Sequence, residues 1–144
     1  MGGELRFFKP DGTPDEYLES LIDSVGLPNS AGNHLGIARN YELAWAGFLG
    51  LGDFEKNFSY PIPAEKLLEI ARTMQDWLKL ADTDLMDIGV KFGLMGKFEK
   101  SHLGGDDVYI WFLEELMEFK ILLVKLVVLF TSNGLAGNYA QYYD

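Results

Sequence analysis

The chain has 144 residues, 48% of them hydrophobic and 14% aromatic, with 22 acidic against 12 basic side chains and a formal charge of -10. That length suits one domain around one core, and the apolar content excludes a disordered chain. The acidic balance disfavours nucleic acid, whose phosphates call for clustered Lys and Arg, and also anionic membrane surfaces. With no cysteine, disulfides, thiolate metal centres and a Cys nucleophile are excluded. This composition suits a reducing compartment, and the cytoplasm is the expected location.

Taken in chain order, Met1 to Arg6 lacks the apolar core of a signal peptide, and Arg6 stands where a myristoylation motif has Ser or Thr. Residues 4–9 alternate loosely through Leu5, Phe7 and Phe8 before the turn signal Pro10-Asp11-Gly12, which predicts a short edge strand. Thr13 with Glu16 reads as a capping box, with Pro14 at the first helical position. A helix should follow, with Tyr17, Leu18, Leu21, Ile22 and Val25 on one stripe and Gly26 and Pro28 as its stop. Residues 29–36 are polar and glycine-containing and read as a loop. A helix from Ile37 to Leu49 follows, ended by the cost of Gly47, Gly50 and Gly52. Tyr60-Pro61-Ile62-Pro63 must be extended, and Pro63 then opens a helix to about Leu80. Its stripe is Leu67, Ile70, Ala71, Met74, Trp77 and Leu78. Thr83 to Ile88 adds a turn or two. Residues 90–95 form a short strand that pairs with residues 4–9.

Asp106 to Asn133 carries the strongest signal. Its apolar positions between Phe119 and Phe130 go round every side of a helix, whereas a surface helix shows one stripe. The interior charges Glu114, Glu115, Glu118, Lys120 and Lys125 argue against a bilayer span. This helix must therefore be buried by its own chain or by a partner. A symmetric dimer covers the second side with the same surface, with Phe119, Leu122, Leu123, Leu126, Val127 and Phe130 as the expected interface. Asn133-Gly134 ends the helix, and residues 135–144 form a tail that docks or stays loose. The expected fold is mainly α, one domain with a long buried C-terminal helix and a short two-stranded sheet.

Catalytic and metal signals are weak. The two histidines, His34 and His102, lack a metal-binding neighbour at helical spacing. Lys97, Lys100 and Ser101 precede a helix N-terminus that Asp106 and Asp107 already occupy. No nucleophile elbow and no phosphate-binding glycine loop is present. The expectation is no catalytic residue, no metal and no cofactor. The densest polar group runs from Asn29 and Ser30 through Asn33, His34, Arg39 and Asn40 into Tyr41 and Trp45, and its core is Asn33, His34, Arg39, Asn40, Tyr41 and Trp45. Apolar walls with a few orienting polar groups are what a ligand pocket needs, so these six are the candidate ligand site. The plainer reading is a capped loop whose Trp joins the core.

Four stretches share a layout. They are Arg39-Asn40 to Trp45, Tyr60-Pro61-Ile62 with Glu65 and Leu67, Phe92-Gly93, and Asp106 with Tyr109 and Leu113. Over roughly residues 37–130 this order resembles that of small uncharacterised phage and prophage accessory proteins, although the His that those proteins often place before their Trp is Ala44 here. The resemblance implies a binding role such as phage counter-defence, in which a host enzyme is blocked or a small signalling molecule is sequestered. The leading expectation is a non-enzymatic, self-associating binding protein with a host protein or small molecule as partner. A small acid-base or metal-dependent enzyme and a structural assembly subunit are the alternatives.

Overall fold

The structure is a computed structural model that describes residues 3–25, 34–37, 61–91 and 105–143. The described elements are β1 (Gly3–Phe8), α1 (Glu16–Val25), β2 (His34–Ile37), α2 (Ala64–Leu78), α3 (Asp82–Lys91), α4 (Gly105–Leu135) and β3 (Tyr139–Tyr143). The chain is mainly helical with a small antiparallel sheet, as its patterning requires. At ~1.5 Å per residue α4 is about 46 Å long. The other elements pack around it, α2 and α1 most extensively and α3 more lightly.

The sheet has three strands in the order β2-β1-β3, both pairings antiparallel. Its composition differs from the expected two-stranded sheet of residues 4–9 with 90–95. Val90 and Lys91 lie in α3, and residues 92–95 fall outside the described residues. Both hydrogen-bonding edges of β1 are occupied, by β2 with Leu5 opposite Leu35 and by β3 with Leu5 opposite Tyr142. The strand expected at an edge is therefore the central one. Residues 34–37, expected as loop and helix start, form the edge strand β2, and the fully buried Leu35 explains why. The C-terminal residues 139–143 are the third strand.

Alternation along β1 sets the two faces of the sheet. Leu5 and Phe7 point into the core with Ala140 and Tyr142, while Glu4, Arg6 and Phe8 alternate with them at partial exposure. Phe7 meets Phe130 of α4 with ring centroids 5.9 Å apart, which joins sheet and helix. The bridge between Ile62 and Ala140 (2.7 Å and 2.9 Å) ties the extended entry of α2 to the far side of β3.

Helix starts follow local chemistry with one correction. Pro63 caps α2 with extended backbone, and its carbonyl accepts from Lys66 and Leu67 (3.0 Å and 3.1 Å), as the sequence predicts. Thr13 does not cap α1. Its hydroxyl and its backbone N–H both donate to the Asp11 carboxylate (2.6 Å and 2.9 Å), so it belongs to the turn, and the helix begins only at Glu16. Gly12 has φ of +88° in this turn, a conformation that costs a side chain strain. The buried stripe of α1 is Leu18, Ile22 and Val25, and that of α2 is Leu67, Ile70, Ala71 and Met74.

The C-terminus of α4 turns the chain back into the sheet. Gly137 adopts φ of +77°, its N–H donates to the Gly134 carbonyl (3.1 Å), and the Asn138 N–H donates to the Asn133 carbonyl (2.9 Å). These are the paired bonds of a Schellman motif. The two buried asparagines are satisfied here, since the Asn133 amide donates to the Leu129 carbonyl (2.8 Å) and the Asn138 amide to Asn133 Oδ1 (3.0 Å). Helix α4 runs past Gly134, which lies against α2. A Cβ at that position would sit 2.6 Å from Leu68 Cγ and 3.1 Å from the Ala64 carbonyl oxygen.

Two measurements follow from this geometry. Gly134→Ala should destabilise the protein by about 1–3 kcal/mol in urea denaturation, because overpacking the helix crossing outweighs the gain in helix propensity. A stabilised variant would contradict the close approach. The side-chain and backbone bonds from Thr13 hold the Asp11 carboxyl below the ordinary aspartate range. A lowered folded-state value means that its contribution is present above the unfolded value and is lost as pH falls through the folded one. In an NMR titration Asp11 should protonate below the ordinary range, and Thr13→Ala should move its midpoint upward.

Candidate functional site

Of the six residues expected to line a ligand site, only His34 falls among the described residues. It occupies the first position of β2, paired in register with Arg6. Asn33, Arg39, Asn40, Tyr41 and Trp45 lie outside them, as does the helix expected over 37–49 beyond Ile37, and as does His102. What the structure brings together near His34 is the outer face of the sheet. Phe8 stacks on Tyr139 (5.4 Å between centroids) and meets Tyr143 edge-on (6.3 Å). The Arg6 guanidinium lies 4.7 Å from the centre of the Tyr143 ring and forms an ion pair with Glu4. Arg6 is thus held by a carboxylate and a ring at once, which stiffens the face and occupies its cation.

The residues expected to form an oligomer interface have a different role. Phe119, Leu123, Leu126 and Phe130 are buried in the chain's own core, with Leu122 and Val127 half-buried at its edge. Phe119, Leu123, Leu126 and Phe130 are thus core residues of the single chain, and Leu122 and Val127 pack against that core. The reason is geometric: they lie on the side of α4 that meets α2, α1 and the sheet. Leu116, Phe119, Leu123, Leu126, Phe130 and Asn133 make a continuous inner line at alternating intervals of three and four residues.

The opposite side of α4 is also apolar. Met117 is 65% exposed, Ile121 49%, Val124 51% and Val128 44%. They too recur at intervals of four, three and four, and half-buried Thr131 and exposed Leu135 continue the line. In the sequence both lines are present but superposed, so the segment reads as apolar on every side. The signal that separates them is the interval pattern, because two sets with heptad spacing lie about 200° apart at ~100° per residue. Glu118 and Lys125 flank the outer line. Lys120 is already engaged by Asp82 at the start of α3 (2.7 Å).

Two further features bear on chemistry. A hollow at the start of α1 is lined by Lys9, Thr13, Pro14, Asp15, Glu16 and Glu19. Among the described residues, no group of three or more His, Asp or Glu side chains is placed to hold a metal ion, and no helix is long and apolar enough to cross a membrane. The outer line of α4 therefore stands as the candidate site, a rigid apolar strip on the longest helix.

Neighbouring residues on opposite sides of α4 should separate stability from association. Leu123→Ala should cost about 2–5 kcal/mol in chemical denaturation. Val124→Ala, whose side chain already faces water in the single chain, should stay within about 0.5 kcal/mol. Equal losses would mean that the two faces are not distinct. Set beside known proteins, the chain matches no family model, no curated protein and no solved structure.

Proposed function

We propose that this chain is a non-enzymatic binding protein that works in the cytoplasm by occupying another protein, in the manner of a phage-encoded inhibitor. The single observation that carries the reading is the outward line Met117, Ile121, Val124 and Val128 on α4. Exposed apolar side chains arranged contiguously on a regular element mark a surface that docks on protein. A flat helix face suits a groove or another helix. A small ligand instead requires a concavity that encloses most of its surface.

Charge supports the reading in a second way. A body with a formal charge of -10 approaches a basic partner surface quickly, and that attraction appears in the association rate and weakens with salt. A protein that sequestered a neutral small molecule would show little salt dependence.

Native mass spectrometry of protein taken directly from cells tests the proposal. The expected species contain the 16.2 kDa chain in non-covalent assembly with protein, and association with the basic partner slows as ionic strength rises. A lone chain carrying a stoichiometric small molecule would overturn the reading in favour of sequestration.

A further inference from the structure

The outer line of α4 has a property that selects its occupant. Met117, Ile121, Val124 and Val128 are spaced four, three and four apart, a sequence of intervals that is the same in either direction. A two-fold axis perpendicular to α4, passing between Ile121 and Val124, therefore carries the set onto itself. It brings Met117 opposite Val128 and Ile121 opposite Val124 of the second molecule. Such self-complementarity is what an isologous contact needs. Intervals of three and four also keep the line facing its partner along a two-helix contact.

Charge fixes the orientation. In heptad terms Met117, Val124 and Thr131 occupy d and Ile121, Val128 and Leu135 occupy a. Glu118 and Lys125 then stand at e and Lys120 at g. Antiparallel pairing sets e against e, so Glu118 of each copy faces Lys125 of the other, and the contact occurs twice. Parallel pairing sets g against e and would place Lys120 against Lys125, a like-charge contact that would also occur twice. Among the described residues neither Glu118 nor Lys125 has an ion-pair partner within the chain, whereas Lys120 is held by Asp82. Glu118 and Lys125, without an ion pair within the chain among the described residues, are a pair that antiparallel association would join. At the ends of the matched line, exposed Glu114 comes opposite Thr131, so polar groups meet polar groups where the apolar contact stops.

We infer that the outer face of α4 docks on the same face of a second copy of this chain, antiparallel, with Met117, Ile121, Val124 and Val128 as its core and Glu118–Lys125 pairs at its flanks. The inference rests on the reading of the chain as a protein that binds protein. It adds the identity of one partner and the register of the contact.

Sedimentation equilibrium of the full chain tests it. The wild type should approach twice the 16.2 kDa chain mass as concentration rises. Glu118→Lys and Lys125→Glu should each weaken the dimer about tenfold, since each replaces two attractive contacts with two repulsive ones. The double exchange should restore wild-type affinity. Glu118 is exposed and Lys125 half-buried, outside the core, so the fold should survive, and circular dichroism checks this. Ile121→Gln with Val124→Gln should abolish dimerisation while leaving the monomer folded.

A chain that stays monomeric at every concentration overturns the inference, as does a dimer indifferent to Ile121→Gln with Val124→Gln. A dimer tightened by Lys125→Glu would also overturn it, because it would show parallel pairing through Lys120. A monomer in the centrifuge that is nevertheless found assembled with another protein by native mass spectrometry would refute the homodimer and leave the binding reading intact.

Discussion

Everything else in this molecule depends on the contact between the inner line of α4 and the layers that cover it. Phe119, Leu123, Leu126 and Phe130 are buried against α2, α1 and β1. Fully burying side chains of this size is worth about 1.5–3 kcal/mol each. Helices in proteins draw far more stability from such packing than from propensity, and the buried Phe119 and Phe130 of α4 are not strong helix formers. The shape of the domain follows. A rod of 31 residues is the spine, α2 and α1 lie along it, and the sheet closes one end through Phe7 and Phe130.

The turn after α4 makes the arrangement self-consistent. The Schellman bonds at Gly137 and Asn138 reverse the chain so that Tyr139–Tyr143 can lie beside β1, and the buried pair Asn133 and Asn138 is satisfied by the same reversal. Gly134 lets α2 approach just before the turn. Four glycine or asparagine residues thus couple the end of the long helix to the centre of the sheet. The backbone of β1 finds partners on both sides from segments far apart in the chain, one near residue 35 and the other near residue 141.

This long-range pairing explains how legible the fold was. Helices α1, α2 and α4 are written locally, in the stripes Leu18, Ile22 and Val25 and Leu67, Ile70 and Met74, and in an apolar run too long to miss. The partner of a strand is not local information. Nothing within residues 4–9 distinguishes Leu35 from Val90 as a neighbour, and the polar surroundings of His34 and Gly36 hide a four-residue strand whose one fully buried anchor is Leu35. Thr13 misled for a related reason. Its hydroxyl had two local options, the start of a helix or the carboxylate of Asp11, and the turn took it. The candidate site was half legible: the sequence shows that α4 is apolar all round, but assigning one line to the core and the other to the surface requires knowing where α2 lies.

A helix with two apolar lines carries a risk that charge controls. Copies of a chain with 22 acidic and 12 basic residues repel one another over most of their surface, which works against indiscriminate contact through exposed Met117, Ile121, Val124 and Val128. Between Met117 and Val128 the charged residues are Glu118, Lys120 and Lys125, one acid and two bases. Repulsion is therefore weakest where the apolar line is exposed. Since charge acts over about 8–10 Å at ordinary ionic strength, it selects which approach survives before any methyl group touches another. The apolar line then supplies the attraction, which is non-directional, and the flanking acid and base supply direction. On this reasoning the charges around α4 do little for the stability of the single chain. In the proposed dimer their role is to set the direction in which the two helices meet.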